Sequence, residues 1–135
     1  CQNKNIILRR LTLTDEGVSK QVVVLNHDDP NSVMAALVMG AAIAATGDQV
    51  LFFVQPGGAK ILAKGGLEKY QNLKGQPDPL HLFDAIQVLD GRIILCELGL
   101  PIWDMQAEDL MDGVEVMMAS TFLFEAEGAK MVFSY

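Results

Sequence analysis

The stretch that decides the fold is Gln21-Val22-Val23-Val24-Leu25-Asn26-His27-Asp28-Asp29-Pro30. Its β-branched first half predicts a buried strand over residues 21–26, and its polar end predicts a turn that leads into a helix. Asp29 suits the cap of that helix, and Pro30 suits its first position because the N–H that proline lacks would stay unpaired there. We expect the helix to run to about Thr46 and to stop at the glycine that follows.

Short apolar runs continue to alternate with helical stretches along the chain. This alternation favours a parallel sheet that is covered on both faces by helices. We expect further strands at residues 50–54, 92–96, 114–116 and 130–133, and further helices at 59–64, 80–89 and 120–127. Residues 67–79 are polar and rich in proline, and predict a surface loop.

The length of 135 residues is that of one domain with a core of its own. No repeat or linker divides the sequence, so we predict a single domain over residues 1–135. Residues 1–19 form an N-terminal extension in this interpretation, or contribute an edge strand at 6–12.

Charge and cysteine content exclude several classes of partner and site. The net charge is -7, and residues 104–128 carry seven acidic side chains with no Lys or Arg, so we expect no nucleic-acid or membrane partner. The longest apolar run is too short for a membrane span, which needs about 20 residues. Two cysteines without an export signal favour a cytoplasmic location, and the His and Cys positions lack metal-site spacing. We expect no metal and no cofactor.

Cys96 is the strongest candidate for chemistry because it ends a predicted buried strand. In open parallel sheets, reactive groups and ligands gather at the carboxyl ends of strands. Backbone N–H groups that follow the strand would stabilise a thiolate there and lower the pKa of the thiol from about 8.5. The alternative is an inert, buried cysteine that only fills the core.

Two other predicted strand ends supply polar candidates for the same edge of the sheet. His27 is a candidate base or hydrogen-bond donor near the thiol, although a surface-turn histidine that bonds to its own helix start is the favoured interpretation. Asp28 is a candidate acid–base group together with Asp29, but helix capping explains at least one of the two. Gln55, Gly57 and Gly58 form a turn that suits an anion at a helix start. This turn lacks the glycine and lysine spacing of nucleotide sites, and its glycines also fit an ordinary tight turn.

Trp103 lies in an apolar segment, residues 98–105, shortly after Cys96. This segment either covers the thiol, meets a partner protein, or packs on its own domain. Glu97 places a negative charge beside the sulfur, which would oppose thiolate formation unless its side chain points away.

Several segments, taken in their order and spacing, resemble the DsrE/DsrF-like sulfur-relay proteins. The resemblance covers nearly all of residues 21–133, and its most telling part is Arg92-Ile93-Ile94-Leu95-Cys96. The other segments are residues 24–30, 35–47, 50–53, 55–59, 108–116 and 119–122.

The resemblance implies a three-layer α/β/α sandwich with a central, mostly parallel five-stranded sheet. It also implies assembly into trimers or hexamers. In such proteins a cysteine at the position of Cys96 carries sulfur, and the partners are TusA-like carriers, rhodanese-like sulfurtransferases or heterodisulfide-reductase-like complexes. The amides near Ser120 and Thr121 are then candidates, with the Gly57-Gly58 turn, to hold the anionic end of the adduct.

The function that follows is a sulfur relay, in which Cys96 carries sulfane sulfur as a persulfide or thiosulfonate and passes it to a partner thiol. One cysteine is sufficient, because a resolving cysteine is needed only when a cycle ends in an internal disulfide. The alternative is a non-catalytic module of the same fold that binds a small ligand or serves in assembly. A peroxide-reducing thiol enzyme ranks last, because no resolving partner or supporting arginine stands near Cys96.

Overall fold

The computed structural model describes residues 18–135. The proposed edge strand at residues 6–12 lies outside this part of the chain. Five strands form a single sheet in the described part: β1 (Lys20–Leu25), β2 (Gln49–Val54), β3 (Arg92–Cys96), β4 (Glu115–Met117) and β5 (Val132–Ser134). Every pairing is parallel, and the strand order is β4-β3-β2-β1-β5. The expected parallel sheet is confirmed, with bounds shifted by one or two residues at the shorter strands.

Two helices cover one face of this sheet. They are α1 (Pro30–Thr46) and α2 (Pro79–Val88), and both pack on alternate strand residues such as Val23, Phe52 and Ile93. Both begin as the sequence predicts, with an aspartate cap followed by proline. Asp29 accepts a hydrogen bond from the Ser32 N–H at 3.0 Å, which holds the pKa of that carboxyl below its usual value.

The opposite face carries one short helix, α3 (Ala119–Glu125). It packs through Phe122 on the remaining strand residues, which include Leu51, Phe53, Ile94 and Cys96. The three layers are therefore unequal, with a large core under α1 and α2 and a small cluster under α3. The expected three-layer α/β/α sandwich is confirmed.

Two local predictions were wrong. The predicted helix at residues 59–64 is a 3₁₀ segment over Pro56–Leu62, which begins at the glycine turn itself. The predicted surface loop at 67–79 contains a further 3₁₀ turn, Glu68–Tyr70, and buries Leu67 and Tyr70 in the main core. The Tyr70 hydroxyl donates to the Asp28 carbonyl and so ties this stretch to the end of β1.

Within residues 18–135, no helix is both long enough and apolar enough to cross a membrane.

Candidate functional site

Cys96 is the last residue of β3, next to Met117 of β4 in the strand register. Its side chain is 5% exposed and belongs to the cluster of apolar residues beneath α3. It is the one cysteine within residues 18–135, and it is not in a disulfide. The thiol therefore lies at the carboxyl edge of the sheet, as predicted, but under a helix instead of open to solvent.

Helix α3 covers this cluster mainly through one aromatic contact. The rings of Phe122 and Phe53 stack with centroids 4.0 Å apart and planes inclined by 9°. Such a pair stabilises a fold by about 1 kcal/mol beyond the area that it buries. Phe122 is the residue through which α3 joins the small core.

The two ends of α3 are held unequally. At the last residue, the Glu125 carboxylate accepts from the Arg92 guanidinium at 3.1 Å, and its carbonyl accepts from the Lys20 ammonium at 2.9 Å. At the start, Met118 occupies the cap position without a side-chain hydrogen bond and is 52% exposed. The weakly held end follows Met117, the strand neighbour of Cys96. We expect α3 to fray first at this end.

Arg92 joins β3, β4 and α3 at the amino edge of the sheet. Its Nε and one terminal nitrogen donate to the two Glu115 oxygens at 2.9 and 2.7 Å. This pairing lowers the pKa of Glu115, against the opposing effect of partial burial, and raises the pKa of Arg92.

We expect the ion pair between Arg92 and Glu115 to make the free energy of unfolding depend on pH. Because the pKa of Glu115 in the folded protein lies below its ordinary value of 4.5, the stabilisation is present above pH 4.5 and is lost as the pH falls through the pKa of the folded state. The side chain is 40% exposed, so screening limits the effect to about 1 kcal/mol or less. Urea unfolding at about pH 5 and pH 3 measures this effect. The free energy of unfolding should fall less between these pH values in Glu115→Gln than in the wild type. Glu127→Gln, at an exposed position, is the control, and an equal loss in all three proteins would contradict the prediction.

The ends of β1 and β2 are linked at the same edge as Cys96. The Asn26 side-chain oxygen accepts from the Gly57 N–H at 3.0 Å. A Cβ atom at position 57 would collide with the Asn26 backbone carbonyl, so glycine is required there by close approach of two turns. Gly58 is buried beside Leu25.

Trp103 packs on its own domain. Its indole N–H donates to the Pro56 carbonyl at 2.7 Å, and the Lys60 ammonium lies 4.3 Å from the ring centroid. Three roles were considered for residues 98–105, and Trp103 has the third of them, which is packing on its own domain. Leu98 and Ile102, in the same segment, are each 62% exposed.

The remaining candidates are spread along the carboxyl edge. Gln55 follows β2 directly, and the register of β2 with β3 places it beside Cys96. His27 and Asp28 follow β1, which is two strands from β3, so their backbone is roughly 10 Å from that of Cys96. Both side chains are exposed. The strand order thus separates His27 from the thiol by the end of β2.

Glu97, Ser120 and Thr121 are exposed. Glu97 follows Cys96 directly, and Ser120 and Thr121 come three and four residues after Met117, the register partner of Cys96. Glu97 opens the 3₁₀ turn Glu97–Gly99 that follows β3 directly. Ser120 and Thr121 belong to the first turn of α3.

Sequence reasoning missed four residues with a structural role, namely Asn26 and Tyr70 at the carboxyl edge and Arg92 and Glu125 at the amino edge. Asn26 was assigned only to a strand end, and Tyr70 to a surface loop. Arg92 and Glu125 gave no signal, because their partners are distant in the sequence and form a pair only through the fold. The polar residue type of Asn26 immediately after an apolar strand was the one available hint.

A cleft of about 380 Å³ lies elsewhere on the molecule. Its lining comes from α2 and two loops, namely Lys64, Gly65, Phe83, Asp84, Gln87, Met111 and Asp112. None of these residues is a candidate at the carboxyl edge, and α2 packs on the sheet face opposite to α3. Within residues 18–135, no group of three His, Cys, Asp or Glu side chains is placed to hold a metal ion.

Solved structures share this architecture across most of the chain. YchN from E. coli superposes with a TM-score of 0.68 at 14% sequence identity, over 86% of this chain and 99% of its own. The fold is DsrE-like. MTH1491 from Methanobacterium thermoautotrophicum, a protein of unknown function, gives a TM-score of 0.63 at 16% identity, over 87% and 99% of the two chains. No protein-family model and no curated protein matches the sequence. The DsrE-like likeness is thus one of fold.

Proposed function

We propose that the protein is a sulfur carrier in which Cys96 binds sulfane sulfur and passes it to a thiol of a partner protein. The observation that carries this proposal is the position of Cys96: it ends β3 at the carboxyl edge of a DsrE-like sheet. Reactive groups of parallel sheets collect at this edge. Whether the transfer amounts to sulfurtransferase catalysis depends on the partner. A reducing compartment such as the cytoplasm would keep the thiol free.

The transfer is an exchange without net oxidation. The Cys96 thiolate attacks the outer sulfur of a donor persulfide, a new S–S bond forms, the donor S–S bond breaks, and the donor leaves as a thiolate. With thiosulfate the leaving group is sulfite, and with tetrathionate it is thiosulfate, which leaves a thiosulfonate on Cys96. With a persulfide, the acceptor thiolate attacks the outer sulfur and Cys96 leaves as a thiolate. With the thiosulfonate, the acceptor attacks the sulfur bonded to the Cys96 Sγ, this sulfur moves to the acceptor together with its sulfonate, and Cys96 again leaves as a thiolate. No metal or cofactor enters the cycle.

Access to the thiol requires a movement, because the Cys96 side chain is only 5% exposed. Helix α3 covers the thiol, and we expect its uncapped start to be the part that moves at the lowest cost in free energy. Gln55 and the Gly57-Gly58 turn follow β2, on one side of β3, and the first turn of α3, with Ser120 and Thr121, follows β4 on the other side. These groups would surround the anionic end of an adduct.

Intact-mass measurement tests the carrier directly. The reduced protein is incubated with thiosulfate, tetrathionate or a low-molecular-weight persulfide, and the wild type is compared with Cys96→Ser and Cys1→Ser. We expect a reductant-sensitive sulfur adduct in the wild type and in Cys1→Ser, and none in Cys96→Ser. An adduct that never forms, or that forms on Cys1, would overturn the proposal.

A second candidate function is an assembly module of the same fold, without sulfur chemistry. The observation that favours it is the outer side of α3, where Leu123 is 69% and Phe124 78% exposed, together with the burial of Cys96. Adjacent exposed apolar side chains of this size mark an interface. We propose that this side of α3 joins copies of the chain into a trimer or hexamer. Self-association is compatible with the carrier, whose partners would then be TusA-like, rhodanese-like or heterodisulfide-reductase-like proteins.

A further inference from the structure

Three exposed apolar side chains follow the carboxyl ends of the neighbouring strands β3 and β4. Leu98 and Ile102 are each 62% exposed and Met118 is 52% exposed. Cys96 pairs with Met117 in the strand register, and Glu97 and Met118 each come one residue after this pair. We call Glu97, Leu98, Ile102, Asp104 and Met118 the Cys96 rim. Its apolar members differ from Leu123 and Phe124, which lie on the outer side of α3.

The rim is held in place by contacts on its inner side. Trp103 is anchored on the Pro56 carbonyl, as described above. Gly99 packs so closely that an added Cβ would lie 2.9 Å from the Ala59 Cβ and 3.0 Å from the Leu95 side chain. The exposure of Leu98 and Ile102 is therefore built into a fixed turn. A preformed apolar surface loses little conformational entropy when it binds a partner.

The charge around these apolar groups is mainly negative. Glu97, Asp104 and Glu108 are exposed acidic residues, and the sequence has no Lys or Arg between Arg92 and Lys130. The nearest cations come from the neighbouring 3₁₀ segment and loop, where Lys60 lies over the Trp103 ring and Lys64 donates to the Glu108 carbonyl. An apolar centre with an acidic border selects a partner with the opposite pattern.

We propose that the Cys96 rim docks a segment of a partner protein that presents aliphatic side chains flanked by Lys or Arg, and that this segment carries the thiol that exchanges sulfur with Cys96. The inference rests on the proposed function for the identity of the exchanging groups. The partner thiolate attacks the outer sulfur on Cys96, the bond to the Cys96 sulfur breaks, and Cys96 leaves as a thiolate. Docking at the rim would bring the incoming thiol to the weakly held start of α3.

Docking is tested first without sulfur, by NMR titration of the labelled protein with two short synthetic peptides. Both peptides carry leucines around a central serine in place of cysteine, and they differ only in flanking lysines or flanking glutamates. We expect the lysine peptide to shift the backbone amide signals of the rim, and the glutamate peptide to leave them unchanged. The double variant with Leu98→Ser and Ile102→Ser should weaken binding of the lysine peptide about tenfold, the effect of losing two partly buried aliphatic contacts. Salt near 0.5 M should weaken it further, because the Debye length shrinks to about 4 Å.

Val88→Ser is the matched control, since Val88 is 79% exposed at the end of α2 and lies at the opposite edge of the sheet. It should bind the lysine peptide as the wild type does. Equal binding of both peptides, shifts confined to other surfaces, or no effect of the double variant would overturn the inference.

The same peptides with the central cysteine restored give a transfer rate from sulfur-loaded Cys96. We expect the lysine peptide to remove the sulfur about tenfold faster than the glutamate peptide at low salt. If Cys96 takes no sulfur from small donors but the lysine peptide still docks, the carrier function fails and the docking surface stands. If Cys96 is loaded with sulfur but both peptides react at the same rate, the docking surface is refuted and the carrier function stands.

Discussion

Phe122→Ala should lower the free energy of unfolding by about 3 kcal/mol and should make Cys96 react faster with a thiol reagent. The loss is that of a buried aromatic ring, because Phe122 is 4% exposed and stacks on Phe53. Without this ring, α3 keeps only its ties at Glu125, and the cluster over Cys96 opens to solvent. Urea unfolding gives the stability, and the rate of iodoacetamide modification at Cys96, followed by intact mass, gives the exposure.

Phe124→Ala is the matched control for this prediction, because it removes the same ring from the same helix at a position that is 78% exposed. We expect its effect on unfolding in dilute protein to be within about 0.5 kcal/mol, with no change in thiol reactivity. Equal destabilisation by the two substitutions, or unchanged reactivity of Cys96 in Phe122→Ala, would show that α3 does not cover the thiol in solution.

The paired substitution of Leu123→Asp and Phe124→Asp should convert the assembled protein to single chains. Two carboxylates placed in an apolar contact between copies would lose hydration without gaining partners, at a cost of several kcal/mol for each contact. Size-exclusion chromatography with light scattering measures the change, and the wild type should elute as a trimer or hexamer. Val88→Asp puts the same charge on an equally exposed apolar position of α2 and should leave the assembly intact. A wild type that stays a single chain at high concentration would refute self-association through α3.

Local signals in the sequence were sufficient for most of the fold. Runs such as residues 21–25 and 50–54 gave the strands, and the two Asp-Pro pairs gave the starts of α1 and α2, because these features depend on neighbouring residues only. The alternation of apolar runs with helical stretches also predicted the parallel sheet, and with it the position of Cys96 at the carboxyl edge.

The geometry of the candidate site could not be predicted in the same way. The strand order decides that Gln55, and not His27, is next to Cys96, and no local pattern encodes strand order. The burial of Tyr70 and the ion pairs of Arg92 with Glu115 and Glu125 depend on residues that are 23 to 42 positions apart in the sequence. The sequence also placed α3 correctly without showing that it covers the thiol.

The anchoring of Trp103 has a practical consequence for optical measurements. Trp103 is the only tryptophan of the chain, and its indole is fixed between the Pro56 carbonyl and the Lys60 ammonium. Indole emission responds to the hydrogen bond at its nitrogen and to a cation over its ring, so any displacement of the turn after Cys96 changes the intrinsic fluorescence. The protein therefore carries its own spectroscopic probe seven residues after Cys96 in the sequence, and movements of this turn can be followed without a label.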